Sequence, residues 1–144
     1  MGELNKEKIT NLIGEIQNAR EELRRFENIS LDEFISIRDN YAIAEHHLRK
    51  ALEGILSLST HIVSRLPGGV KSKDYREIIV ALGEFEVLPK EFAQKIRGIA
   101  GYRNRLVHLY WKVTSEELHQ KVSGELKDID MFVDYILEYL ADIH

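Results

Sequence analysis

An all-α, antiparallel up-and-down bundle of about five helices is the architecture this sequence predicts. Three observations carry it. Two prolines and nine glycines are the only strong interruptions in 144 residues. Between them, apolar residues recur at steps of three and four rather than two. Two of the long stretches are preceded by Ser/Thr-x-x-Glu, a helix-start signal in which the hydroxyl takes a free amide and the glutamate reaches back. No segment alternates apolar and polar residues as a half-buried strand requires.

The first helix is predicted over Leu4 to Phe26, with Ile9, Leu12, Ile13, Ile16 and Leu23 on one stripe. "SLDE", Ser30 to Glu33, then has capping-box spacing. The helix it opens is expected to be the longest, with Phe34, Ile37, Tyr41, Ala44, Leu48, Ala51, Ile55, Leu58 and Ile62 forming a bundle seam. "LPGG", Leu66 to Gly69, stops it: proline removes a ladder donor and the glycines permit a turn. A third helix follows from about Asp74 to Leu82. Pro89 suits the first turn of a fourth, running to about residue 110, because its missing N–H would have had no partner there. "TSEE", Thr114 to Glu117, opens the last, from about 115 to 143, with Leu118, Val122, Leu126, Ile129, Val133, Ile136, Leu140 and Ile143 in register. The chain reads as one domain, residues 1–144.

Composition narrows the function. With 44% hydrophobic and 31% charged residues the chain is that of a soluble globular protein. The absence of cysteine excludes disulfides, thiolate nucleophiles and cysteine zinc sites, and fits a cytoplasmic setting. No apolar run approaches the ~20 residues that span a bilayer, so no membrane partner is expected. A net charge of −4 argues against a general polyanion binder. Yet charge is sorted along the chain. From Phe92 to Val113 the charged residues are Lys95, Arg97, Arg103, Arg105 and Lys112, a local +5 that leaves −9 for the rest.

Within that segment "GYRNRLVHLYWKV", residues 101–113, gathers basic and aromatic side chains without a carboxylate. If residues 93–109 form a continuous helix at ~100° per residue, Ile99, Tyr102, Leu106 and Leu109 face the core. Arg97, Gly101, Asn104 and His108 then form a polar row, and Ala100, Arg103, Val107 and Tyr110 the row beside it. Trp111 is expected in the core or at a dimer interface. A guanidinium, an imidazole, an amide and a phenol would thus surround Gly101, where no side chain blocks approach. Such groups suit RNA cleavage without metal or cofactor. Histidine moves protons near neutral pH, and arginine matches phosphate oxygens and stabilises the extra negative charge of the transition state. His46 and His47 are adjacent, about 100° apart, and lack the i,i+4 spacing of a metal pair. No metal site is expected.

"RNRLVHLY" resembles the R-x-x-x-x-H-x-Y signature of HEPN domains. Its surroundings resemble their HepT-like toxin branch: "RDNYAIAEHHLRKAL", "HIVSRLP", "DYREIIVALGEFEVLP" and "IAGYRNRLVHLYWKV". The similarity is strongest from Ile37 to Val113, and the first helix is longer than the family pattern. The resemblance implies that Arg103 and His108 are the catalytic pair of a metal-independent endoribonuclease toxin and that Asn104 is the polar residue usual after the arginine. It further implies that Tyr110 is the tyrosine AMPylated by a cognate minimal nucleotidyltransferase antitoxin of the MntA type. Arg97 and Arg105 are the accompanying candidates for RNA contact. A homodimer is expected on physical grounds too. The reaction needs a base and an acid on opposite sides of the phosphorus, one chain offers one suitable histidine, and a two-fold axis supplies the second. Two other readings remain open: a non-catalytic HEPN subunit that binds nucleotide or a nucleotidyltransferase, and a purely structural assembly bundle.

Overall fold

The protein is described by a computed structural model covering residues 3–68 and 74–143, in which every regular element is helical. In chain order these are α1 (Lys6–Leu23), a 3-10 turn (Arg24–Phe26), α2 (Leu31–Ser36), α3 (Asn40–Ser64), α4 (Tyr75–Glu84), α5 (Lys90–Ile96), α6 (Ile99–His108), a second 3-10 turn (Tyr110–Lys112), α7 (Ser115–Gly124) and α8 (Lys127–Asp142). No helix among the described residues is long and apolar enough to cross a membrane. Gly69 of the "LPGG" turn lies outside the described residues, while Gly68 takes a left-handed φ of +78° that suits glycine.

Each of three predicted long helices is divided in two, and each break has a local cause. Ile37 leaves the helical region at φ −99°, ψ 107°, so α2 and α3 are separate and Ile37 is exposed rather than in the seam. The break lets Phe34 turn inward against Phe26, edge-on at 5.5 Å, and against the His119 ring at 5.6 Å. The buried Asn40 amide stabilises the corner by donating to the Phe34 carbonyl at 3.3 Å. Between α5 and α6 the chain pauses at Arg97 and Gly98, where glycine is a poor helix former. Between α7 and α8 the pause follows Gly124, and Glu125 departs to φ −118°, ψ 9°. Both hydroxyl caps form as expected: Glu33 N–H donates to Ser30 Oγ and Glu117 N–H to Thr114 Oγ1, each at 3.1 Å.

α3 is the central helix. α1 runs along it, α4, α6 and α7 also pack on it, α5 lies against α4, and α8 closes against α1. Ile16, Leu23, Leu58, Ile62, Leu118 and Phe132 are fully buried at these contacts. Gly54 permits the α1–α3 approach, since a Cβ there would stand 2.6 Å from Ile16 Cγ1. The start of α1 is tied to the end of α3: Asn5 N–H donates to the buried His61 Nε2 at 3.1 Å, and Arg65 Nε donates to the Glu3 carbonyl at 3.0 Å.

Candidate functional site on helix α6

Tyr102 and Leu106 turn α6 toward α3 and are buried there. Asn104 and His108 are the α6 residues left exposed. Two hydrogen bonds hold the turn after α6, and a third braces α6 to α7. The Tyr41 hydroxyl donates to the Val113 carbonyl at 2.7 Å, Arg105 Nη2 donates to the Lys112 carbonyl at 3.2 Å, and Arg105 Nη1 donates to Glu117 Oε1 at 2.5 Å. Burial, with Glu117 adding to it, raises the Tyr102 phenol well above its ordinary range, so it stays protonated. The Arg105 guanidinium and the Lys121 ammonium lie 5.9 and 5.1 Å from its ring centroid.

Arg103 is half-buried. Its Nε lies 3.9 Å from Glu53 Oε1 on α3, and its Nη1 donates to Asn104 Oδ1 at 3.1 Å. Glu53 also accepts from Arg49 Nη1, and Glu45 from Arg49 Nε, both at 3.3 Å. His108 is the last residue of α6, exposed, with no hydrogen bond or ion pair among the described residues. Five residues separate it from Arg103, about 140° around the helix and about 7.5 Å along it. No hydrogen bond or ion pair joins the two, although both reach solvent.

The local excess of positive charge is largely compensated in three dimensions. Lys95 pairs with Asp128 at 3.0 Å, Arg105 with Glu117, and Arg103 approaches Glu53. Arg97 and Lys112 have no such partner among the described residues. The three carboxylates come from α8, α7 and α3, far away in sequence, so linear spacing did not reveal them. Arg105 in particular ties α6 to α7 and to the turn.

The continuous-helix expectation fails at its end. α6 stops at His108, and Leu109, at φ −134°, ψ 34°, is exposed rather than in the core. Tyr110 therefore lies beyond α6 and does not continue the helix that carries Arg103. Its backbone opens the 3-10 turn, and its side chain lies outside the described part of the structure. Trp111 is 66% exposed and is not in the core of this chain. Ala100, expected beside the polar row, is buried. Among the described residues no three His, Asp or Glu side chains are grouped to hold a metal, and the His46 and His47 rings meet edge to face at 5.0 Å.

Two contributors went unrecognised in the sequence. Glu53 sits four residues after Arg49, the ordinary signature of a solvated pair, and nothing in that spacing points to Arg103. Arg76 on α4 places Nη2 3.7 Å from the position a Gly101 Cβ would occupy. It also lines a cavity of about 430 Å³ along α6, shared with Gly98, Gly101 and Arg105 and floored by Leu48, Leu52 and Phe132.

A family model described as ribonuclease HepT-like matches residues 16–136. The tRNA nuclease HepT of Aphanizomenon flos-aquae (strain 2012/KM1/D3) is 33% identical over 121 residues, 84% of this chain and 82% of that protein. YutE, a cytosolic protein of unknown function from Bacillus subtilis, superposes with a TM-score of 0.81 at 16% identity over 99% of this chain and 95% of its own. A tri-AMPylated HEPN toxin of Shewanella oneidensis, solved in complex with MNT antitoxin, gives 0.79 at 18% over 91% and 97%. At such identities these two structures speak for the fold. The family match spans most of the sequence and the relative at 33% identity covers 84% of it, so the chain belongs to the HepT-like ribonuclease family.

Proposed function

We propose that the outer surface of α6 is the centre of a metal-independent endoribonuclease, the toxin of a toxin–antitoxin pair. The observation that carries this reading is the state of Arg103 and His108 in a HepT-like chain. The half-buried guanidinium donates to Asn104, lies 3.9 Å from Glu53 and still reaches solvent, and the imidazole about one and a half turns on is exposed. Further support is that a relative of one-third identity is named a tRNA nuclease.

The chemistry assigns roles to groups this chain supplies. A 2′-hydroxyl loses its proton and attacks the adjacent phosphorus, the bond to the 5′-oxygen breaks, and that oxygen takes a proton. The products are a 2′,3′-cyclic phosphate and a 5′-hydroxyl. His108 carries one of the two proton movements. Arg103 faces the phosphate oxygens as negative charge accumulates. Glu53 keeps the guanidinium aimed, and Asn104 fixes its plane. Because a single phosphorus needs a base and an acid on opposite sides, the second histidine comes from a second copy across a two-fold axis. Arg97 contributes phosphate affinity, while Arg105 serves chiefly as the strut that fixes the turn carrying Tyr110.

Control follows from the same surface. AMP attached to Tyr110, two residues past His108, would bring a phosphodiester charge and a bulky nucleotide to the end of α6, where they compete with RNA for Arg103. The cognate enzyme is a minimal nucleotidyltransferase of the MntA type, in line with the AMPylated toxin and MNT antitoxin among the structural neighbours. Expression tests the reading. Wild-type protein should arrest growth, and Arg103→Ala or His108→Ala should each relieve the arrest; arrest by both variants would refute it. Co-expression with the nucleotidyltransferase should raise the intact mass by whole AMP units, and Tyr110→Phe should abolish that shift.

A further inference from the structure

We propose that Arg76 on α4, together with Arg97, forms a phosphate-binding extension of the α6 surface that holds the RNA strand away from the scissile bond. The inference rests on the ribonuclease reading and adds a residue to it. Arg76 is exposed, and its guanidinium makes no hydrogen bond or ion pair among the described residues. Arg97, at the C-terminal end of α5, is in the same condition. The two line one hollow of about 450 Å³ whose other walls are Val80, Ala81 and the carboxylates Glu77 and Glu84. Neither carboxylate lies within 4.0 Å of either guanidinium. Two guanidinium groups that no acid engages thus face one concavity beside two carboxylates that pair with neither, whereas Lys95, Arg103 and Arg105 close by each have an acid. A phosphate seated between the two guanidinium groups would take donors from both at once, with Glu77 and Glu84 left outside its contacts.

Placement relative to α6 gives the hollow its meaning. The Arg76 guanidinium lies over Gly101, and the stripe Gly98, Gly101, Arg105, His108 runs along α6 at steps of 3, 4 and 3. Gly101 and His108, seven residues apart, nearly eclipse, about 10 Å apart along the helix axis. A phosphate on Arg76 and one at His108 therefore belong to nearby nucleotides of a single strand following that stripe. Glycine at 98 and 101 leaves the backbone of the stripe uncovered, and a larger side chain at 101 would press on the guanidinium. As a positioning group remote from the reacting atoms, Arg76 contributes to affinity rather than to the chemical step.

The test is RNA binding by the full-length protein carrying His108→Ala, which prevents turnover, titrated with an unmodified tRNA transcript over a range of salt concentrations. Arg76→Gln in this background should weaken binding roughly 5- to 10-fold at moderate salt and lower the slope of log K against log salt by about 0.7 to 0.9, the signature of one lost phosphate contact. Arg76→Lys should keep most of the slope, because a point charge remains. The double change with Arg97→Gln should remove about two such steps. In the active protein, Arg76→Gln should raise KM and leave kcat near wild type. An unchanged slope in Arg76→Gln, with RNA still bound, overturns the assignment and leaves the ribonuclease reading intact. No RNA binding by the His108→Ala protein itself would overturn both.

Discussion

Two glycines in this protein face opposite conditions. At Gly54, in the contact of α3 with α1, a Cβ would collide with Ile16 at 2.6 Å; at Gly101, on α6, it would meet only the tip of Arg76 at an ordinary 3.7 Å. The first belongs to a spine in which apolar side chains interdigitate and no space is left. The second belongs to a rim where helices are short, the chain pauses at Arg97–Gly98 and again after His108, and large or charged groups such as Trp111, His108 and Arg97 meet solvent. Stability is concentrated in the spine, and the rim presents chemistry. Binding sites are commonly drawn from the less stable end of a structure in this way, positioned by a rigid scaffold.

The largest effect should come from the rim without touching the spine. Arg103→Ala and His108→Ala should each slow RNA cleavage by about 100-fold or more while leaving the thermal unfolding midpoint nearly where it was, because both side chains reach solvent. Single-turnover cleavage alongside thermal melts checks this. Loss of fold and activity together would show that the rim is structural after all. The glycines supply the next contrast. Gly54→Val should cost about 1–3 kcal/mol in urea unfolding through overpacking against Ile16. Gly101→Ala should be neutral or stabilising by up to ~1 kcal/mol, since the methyl finds room and alanine favours helix. The same sign at both positions would break the distinction.

How much of this was legible depends on whether the signal was local. Phe34, Leu48, Ile55, Leu118 and Ile129 are buried as their periodic spacing predicts, each lying within a helix and away from the unpredicted breaks. Ile37 and Leu109 fail because they stand at the ends of helices, where the helical face is undefined. Gly98 and Gly124, both weak helix formers, stand at two of the breaks, yet each lies inside a continuous apolar stripe whose periodicity does not register a pause. The Arg103 and His108 pair stands out in the linear motif. The groups that condition it do not. Glu53 is fifty residues from Arg103, Tyr41 seventy-two from the Val113 carbonyl it grips, and Glu117 sits in a charge run that reads as a solvated face. Tertiary pairing decides which cations of the +5 segment remain available, and linear charge alone overstates them.

A smaller, pH-dependent effect separates the regions once more. Burial first, then the charges of Arg65 and Lys8, lowers the pKa of His61 below its usual value of about 6.5. Its Nε2 must stay unprotonated to accept the Asn5 N–H that starts α1. The folded state therefore binds fewer protons than the unfolded state in this range. The contribution is fully present above about pH 6.5 and is lost as pH falls from there through the lowered folded value. The urea midpoint should be lower at pH 5.5 than at 7.5, and His61→Gln should flatten that difference. An undiminished difference in the variant would remove His61 as its source.

The most direct test of the ribonuclease account is the chemical identity of the ends it leaves. Wild-type protein incubated with RNA in EDTA should yield 2′,3′-cyclic phosphate and 5′-hydroxyl termini by mass spectrometry, and should not cut where the scissile nucleotide carries a 2′-methoxy group. Products ending in 3′-hydroxyl and 5′-phosphate, or cleavage that disappears with the chelator and returns with magnesium, would contradict it.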